Sequence, residues 1–209
     1  MKEYDIYLFD FDGTLFDSLE SLYPTFRYAF DAVGFHDVSD EEIESYTHIS
    51  LDEMIENSYI PPELKPLFLQ KILEALDFDE FLKLIKPFPE AIPTLKELQK
   101  RGKRLAIVSN NDSEHIRKTL ELLNVDVPFD AIVGSDMVQR SKPHPDVIFV
   151  AFDIMGVKDA SRAVYVGDSI QDGETGLAAG IGSIVVDRRG IYEKVRGEKV
   201  SSLSEILNY

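Results

Sequence analysis

The chain opens on Tyr4-Asp5-Ile6-Tyr7-Leu8-Phe9-Asp10-Phe11-Asp12-Gly13-Thr14-Leu15-Phe16-Asp17. Its first half is a short run of aromatic and branched residues, the pattern of a buried strand. Two carboxylates, Asp10 and Asp12, follow at once, and then a turn glycine. Side chains alternate along an extended segment, so both acids are expected to leave the strand end on one side. Two such groups repel each other unless a proton or a cation sits with them, and a hard divalent ion bound by oxygens meets that need. An exposed acidic turn would show the same residues, so the rest of the chain has to decide.

The composition narrows the possibilities. At 209 residues the chain suits one domain, or one domain carrying an insertion, and 44% apolar residues suffice for a sizeable core. No run of about twenty apolar residues occurs, so no membrane span is expected. The charged start, Met1-Lys2-Glu3-Tyr4-Asp5, does not resemble a signal peptide. Cysteine is absent, which excludes disulfides and thiol catalysis and favours a cytoplasmic location. With 22 basic against 38 acidic residues, a net of −16, the balance argues against nucleic-acid binding. It leaves open a small anionic substrate held by a local cation.

Beyond Asp17 the periodicity turns helical. Leu19, Leu22, Tyr23, Phe26, Phe30 and Val33 recur at three- and four-residue spacing, with Asp17 or Ser18 as N-cap and Gly34 as stop. Pro24 predicts a kink or break inside this helix. Ser39 with Glu42 reads as a capping box, and Leu64–Leu73 and Leu76–Ile85 as further helices. Residues 39 to 85 carry no strand signal, which predicts a small helical bundle. Lys86-Pro87-Phe88-Pro89 then marks a boundary. Helix and strand patterns alternate after it: helix Ala91–Arg101, strand Arg104–Val108, helix Ser113–Leu123, strand Ala131–Val133, helix Pro145–Met155. Strand Ala163–Val166, helix Asp172–Ala179 and strand Ser183–Val186 follow, with a short strand at Lys199-Val200 and a closing helix Ser202–Leu207. This alternation predicts βαβ units and a parallel sheet, whose ligands bind beyond the carboxyl ends of the strands.

The residues just past each strand are the informative ones. Asp10 and Asp12 follow the first, Ser109-Asn110-Asn111-Asp112 the second, Gly134-Ser135-Asp136 the third and Gly167-Asp168-Ser169 the fourth, with Asp172 close behind. Ser141-Lys142-Pro143 lies between the third and fourth strands. One rim of the sheet thus gathers carboxylates, a hydroxyl and a lysine. Asp10, Asp12 and Asp168 can hold Mg²⁺, Ser109 can donate to a phosphate oxygen, and Lys142 can offset its charge.

In this pattern the sequence resembles the haloacid dehalogenase-like hydrolase superfamily, in its phosphatase branch of the phosphoglycolate phosphatase kind. Asp10 to Thr14 match the family's Asp-x-Asp-Gly-Thr, Ser109 its second motif, Lys142 its third (with Ser141 where Gly is usual), and Gly167 to Asp172 its Gly-Asp-Ser-x-x-Asp. The resemblance implies a Rossmann-like doubly wound parallel sheet (residues 1–15 and 87–209) with an inserted all-helical cap (16–86). It implies an Mg²⁺-dependent phosphatase acting on a small phosphorylated metabolite through an aspartyl-phosphate. Asp10 would be the nucleophile and a metal ligand, and Asp12 the general acid and base, lending its backbone carbonyl to the metal. Asp168 would be the third ligand. Ser109, Lys142 and the Asn110 backbone would bind phosphate, and Asp172 would orient Lys142 or a metal-bound water. His48, in the cap, is a candidate for substrate choice. A phosphosugar mutase of the β-phosphoglucomutase kind shares the core motifs, and a phospho-acceptor regulatory module shares the acidic rim, so both remain alternatives. The substrate and the oligomeric state are not legible.

Overall fold

A computed structural model of the chain describes residues 3–46 and 51–209, with backbone only at 52 and 53. The chain divides into two compact units, Met1–Asp17 with Pro87–Tyr209, and Ser18–Lys86. Strand β1, Ile6–Phe9, opens the first unit. Among the described residues, the second unit holds five helices: α1 (Leu19–Ala32), α2 (Asp40–Ser45), α3 (Leu51–Asn57), α4 (Lys65–Ala75) and the single turn α5 (Asp79–Leu82). The first unit resumes with α6 (Ala91–Lys100), β2 (Arg104–Val108), α7 (Ser113–Leu122), β3 (Ala131–Val133), α8 (Asp146–Met155), β4 (Ala163–Gly167), α9 (Ile170–Ala178), β5 (Gly182–Val186) and β6 (Glu198–Val200).

Within the helical unit, α1 presents Phe26, Ala29, Phe30 and Val33 along one face, and these pack with Ile43, Met54, Phe68 and Ile72. The Phe30 and Phe68 rings lie 4.6 Å apart. Helix α1 runs through Pro24 without a break, so of the kink or break expected from the sequence the break is not realised. Proline there forfeits one N–H bond, to the carbonyl of exposed Glu20 in the first turn, where water can serve the orphaned oxygen. The predicted stop is realised. Gly34 adopts φ +89°, and the Phe35 N–H reaches back to the Phe30 carbonyl. The stretch Leu76–Ile85 yields only the four-residue α5 rather than a long helix.

The other unit is a six-stranded sheet in the order β3-β2-β1-β4-β5-β6 with every neighbour parallel. This is the doubly wound order, and its switch point lies between β1 and β4. All four residues of β1 are buried, as parallel sheets covered on both faces require. Ile6 and Leu8 point to one face, where Ala106, Val108, Val133 and Tyr165 meet Val147, Ile148, Ala151 and Phe152 of α8. Tyr7 and Phe9 point to the other, and the Tyr7 hydroxyl donates to the Tyr209 carbonyl at 3.3 Å. The closing segment is a 3₁₀-helix, Leu203–Asn208, and a second 3₁₀ turn, Ser135–Met137, had no forewarning in the sequence. Among the described residues no helix is long and apolar enough to cross a membrane.

Truncating Phe30 removes a fully buried ring of α1 together with its tilted contact on Phe68. Phe30→Ala is expected to destabilise the helical unit by about 3–5 kcal/mol, read from urea unfolding. A loss under about 1 kcal/mol would place the core of that unit elsewhere.

Candidate active site

Strand register assembles the site. Phe9 pairs with Ile107 on β2 and with Val166 on β4, so the residues that follow come out side by side at the carboxyl edge. The Asp10 N–H bonds the Val166 carbonyl at 2.9 Å, and the Ser109 N–H bonds the Val133 carbonyl at 3.0 Å. Asp10, Ser109, Lys142 and Asp172 are all buried.

Lys142 is the centre. Its ammonium lies 2.9 Å from Asp10 Oδ1 and 2.7 Å from Asp172 Oδ1. The lysine is seated by the loop after β2, where Asn110 Oδ1 accepts the Lys142 backbone N–H at 2.8 Å. Its peptide bond to Pro143 is cis. Asp172 is saturated with donors. Besides Lys142, it accepts the Tyr165 hydroxyl at 3.2 Å, the Ser169 N–H at 3.0 Å and the Ser169 hydroxyl at 2.6 Å. The Ser169 N–H bond, with the Asp172 N–H donating back to Ser169 Oγ at 3.1 Å, closes a capping box at the start of α9. Asp172 therefore orients the lysine and has little capacity for another ligand.

Charge is unevenly balanced here. Carboxylate oxygens of Asp10, Asp168 and Asp172 come within 4.8 Å of one another, against a single ammonium. Burial pushes the Asp10 carboxyl up to about 7, with Lys142 opposing and Asp172 and Asp168 adding to the rise. Burial also lifts Asp168 to about 6, with Asp172 adding. Burial works against the charge of Lys142 too, but Asp10 and Asp172 outweigh it and hold the ammonium well above the ordinary lysine range. Burial resists the charge of Asp172, and Lys142 and Ser169 overcome it and hold that carboxyl low. The site thus carries an excess of buried negative charge on oxygen donors alone. That donor set fits a hard divalent cation, with Asp10 and Asp168 contributing the carboxylates.

The structure brings Asp10, Ser109, Asn110, Lys142, Asp168 and Asp172 to one edge. It differs from the first reading of the sequence over Asp12, whose carboxylate is not in the acidic group. Asp12 instead accepts from the Asn111 carboxamide, Nδ2 to Oδ2 at 2.9 Å. The reason is local. After Phe9 the chain leaves extended geometry, Gly13 takes φ +73°, and the Leu15 and Phe16 N–H groups fold back onto the Phe11 carbonyl. Strand alternation therefore no longer governs residue 12. His48 lies outside the described residues.

Several contributors escaped the sequence reading. The Thr14 hydroxyl donates to Asp168 Oδ1 at 3.2 Å. Tyr165 looked like one more strand residue, yet its hydroxyl lies within reach of Asp172 and the Val108 carbonyl. Arg188 donates to the carbonyls of Gly13 and Thr14, both at 2.8 Å, while pairing with Glu90 and lying 3.8 Å over the Phe88 ring. Only the position of Tyr165 within a motif-bearing strand could have drawn attention. Arg188 and Thr14 act across long sequence separations, which no local pattern reports.

Gly13 is sterically obligatory. A Cβ there would sit 2.4 Å from Asp168 Oδ2, at a positive φ that L residues resist. Gly13→Ala is expected to leave the fold standing and to lower kcat about 100-fold or more by displacing Asp168. Steady-state kinetics beside a thermal melt test this, and unchanged kcat would remove Asp168 from the working site.

Comparison with known proteins agrees with this geometry. Residues 7–186 match the family model described as haloacid dehalogenase-like hydrolase. A phosphoglycolate phosphatase of Aquifex aeolicus is 30% identical, covering 84% of this chain and 81% of its own length. A pyrophosphatase, PpaX, of Bacillus pumilus is 31% identical, covering 92% of this chain and 85% of its own length. Among solved structures, a haloacid dehalogenase-like hydrolase from Bacteroides fragilis superposes with a TM-score of 0.84 at 27% identity, over 98% of this chain and 100% of that one. Two acidic motifs and a buried lysine on the edge of a doubly wound sheet, found together with a family match over most of the sequence, identify the chain as a member of the haloacid dehalogenase-like hydrolases.

Proposed function

We propose that this enzyme hydrolyses small phosphomonoesters, of the phosphoglycolate or sugar phosphate class, through an aspartyl-phosphate on Asp10. The observation that carries the proposal is the buried Asp10–Lys142–Asp172 triad, with Asp168 beside it and excess negative charge. The names of the curated relatives, phosphoglycolate phosphatase and pyrophosphatase, support the reaction class.

In the first step an Asp10 carboxylate oxygen attacks phosphorus, and the bond to the leaving oxygen breaks. Asp10 Oδ1 already accepts from Lys142 and from the Phe11 N–H at 2.8 Å, which fixes the carboxylate for attack. Asp12 gives its proton to the leaving oxygen, so the product departs as an alcohol. In the second step Asp12 takes a proton from water as that water attacks phosphorus. The bond from phosphorus to Asp10 then breaks, releasing inorganic phosphate. Ser109 accepts the Asn111 N–H at 3.3 Å, which leaves its own O–H to donate to a phosphoryl oxygen. Lys142 brings the cation that balances the phosphoryl charge, and the backbone of Asn110, an exposed residue, is proposed as a further contact. The Asp10 and Asp168 carboxylates and the Asp12 carbonyl would hold a Mg²⁺ ion, which would supply neutralisation of the negative charge of the nucleophile and the phosphoryl group. The helical insert, with His48, is proposed as the source of substrate choice.

Asp10→Asn is expected to lower kcat on the order of 10⁴-fold or more, while inorganic phosphate still binds. A panel of phosphorylated metabolites with Mg²⁺, repeated with EDTA, tests the ion: turnover should vanish with chelator and return with added Mg²⁺. Full turnover in EDTA would refute the metal assignment. Near-normal hydrolysis by Asp10→Asn would refute the nucleophile.

A further inference from the structure

We propose that Asn111 is a positioning residue for Asp12, holding its carboxylate so that one defined oxygen exchanges the proton with the leaving group. The proposal rests on the acid–base reading of Asp12 given above.

The orientation of the Asn111 carboxamide is determined by its partners. Its Oδ1 accepts the Asp112 backbone N–H at 2.8 Å, so that end must be the oxygen. The other end is then a donor, and it faces Asp12 Oδ2 at 2.9 Å. A carboxylate bound by one N–H has its second oxygen left to work. Asp12 Oδ1 is therefore the atom assigned to the leaving oxygen and, in the second step, to water.

Asn111 is itself held from three sides. Its backbone N–H donates to Ser109 Oγ, its carbonyl accepts the Ser135 N–H at 3.0 Å, and helix α7 starts immediately beyond, capped by Asp112. Asp136 fastens the same corner, accepting the Ser113 N–H at 2.7 Å and the Ser113 hydroxyl at 2.8 Å. The fit is close, since a Cβ on Gly134 would lie 2.5 Å from the Asn111 carbonyl oxygen. A side chain on so rigid a corner can impose its geometry on a carboxylate that lies in a turn.

Leaving-group dependence separates positioning from scaffolding. An alkoxide must be protonated as it departs, whereas p-nitrophenolate leaves as a stable anion, so only the first needs a well-aimed Asp12. The experiment compares p-nitrophenyl phosphate with the best alkyl phosphate of the metabolite panel, in wild type, Asn111→Ala, Asn111→Asp and Asp12→Asn. Asn111→Asp keeps an oxygen for the Asp112 N–H and loses the donor to Asp12, so a scaffold role would survive it. Any repulsion of substrate by the new charge acts on both phosphates and cancels in their ratio. The alkyl-to-aryl ratio of kcat is expected to fall about 10- to 100-fold in both Asn111 variants and further in Asp12→Asn. In Asn111→Ala, KM for the alkyl phosphate should change less than about 3-fold. If Asp12→Asn lowers the ratio while Asn111→Asp leaves it unchanged, Asn111 does not position the acid. An unchanged ratio in Asp12→Asn would overturn the acid assignment itself, and this inference with it.

Discussion

The contact on which the rest of the site depends is the Lys142 ammonium wedged between Asp10 and Asp172. Removing any one of the three leaves a charge buried without its partner, a change worth about 3–5 kcal/mol in comparable settings. The arrangement is costly even when complete, because burial resists the charge of both Lys142 and Asp172. Stability alone does not explain it, since apolar residues of similar volume would serve a core as well. What the triad provides is a carboxylate and a cation held at 2.9 Å before any substrate arrives, which is the arrangement that the role proposed for Asp10 calls for. Asp172 completes the geometry by accepting from Lys142 and from the Ser169 N–H and hydroxyl, with the Tyr165 hydroxyl 3.2 Å away, so the lysine has one well-defined position.

That interaction joins residues 30 and 132 positions apart in the sequence, and the sheet makes the meeting possible. Because β1 lies between β2 and β4 in matched register, the loops after all three open at one edge. The topological switch point puts a crevice there. Acidic residues at a strand end are common, but few arrangements deliver a lysine to them from a fourth segment. Asn110 performs this delivery by accepting the Lys142 backbone N–H, linking the loop after β2 to the loop ahead of α8.

Much of this was legible because the chemistry sits at strand ends. Alternating hydrophobic runs and glycine punctuation mark where strands stop, and the polar residue after each stop is the one that reaches the rim. Hence Asp10, Ser109 and Asp168 could be read off directly, while Lys142 and Asp172 stood out through the motifs they share with the resembling family. Arg188 could not, because its targets are the backbone carbonyls of Gly13 and Thr14, groups every residue possesses. Nor could Tyr165, whose role depends on the hydroxyl of a residue that otherwise fits a buried strand. Helix boundaries failed for a similar reason. Pro24 is a strong local breaker, yet packing of Phe26, Ala29 and Phe30 on either side of the next turn keeps α1 continuous.

The two acids of the opening stretch end in different surroundings, although only Phe11 separates them. Phe11 is fully buried and stacks on Phe16 at 4.5 Å, and its carbonyl takes two N–H groups from the turn. The aromatic anchor thus pulls the chain round between the two carboxylates. Asp10 stays at the end of the strand, beside Lys142 and in the dry interior, where it keeps company with other acids. Asp12 is carried out to the partly exposed corner at Asn111. A nucleophile needs a fixed carboxylate next to positive charge, and a proton carrier needs one oxygen free and access to water. Identical side chains acquire these separate surroundings from a single turn, and the surroundings match the separate roles proposed for them.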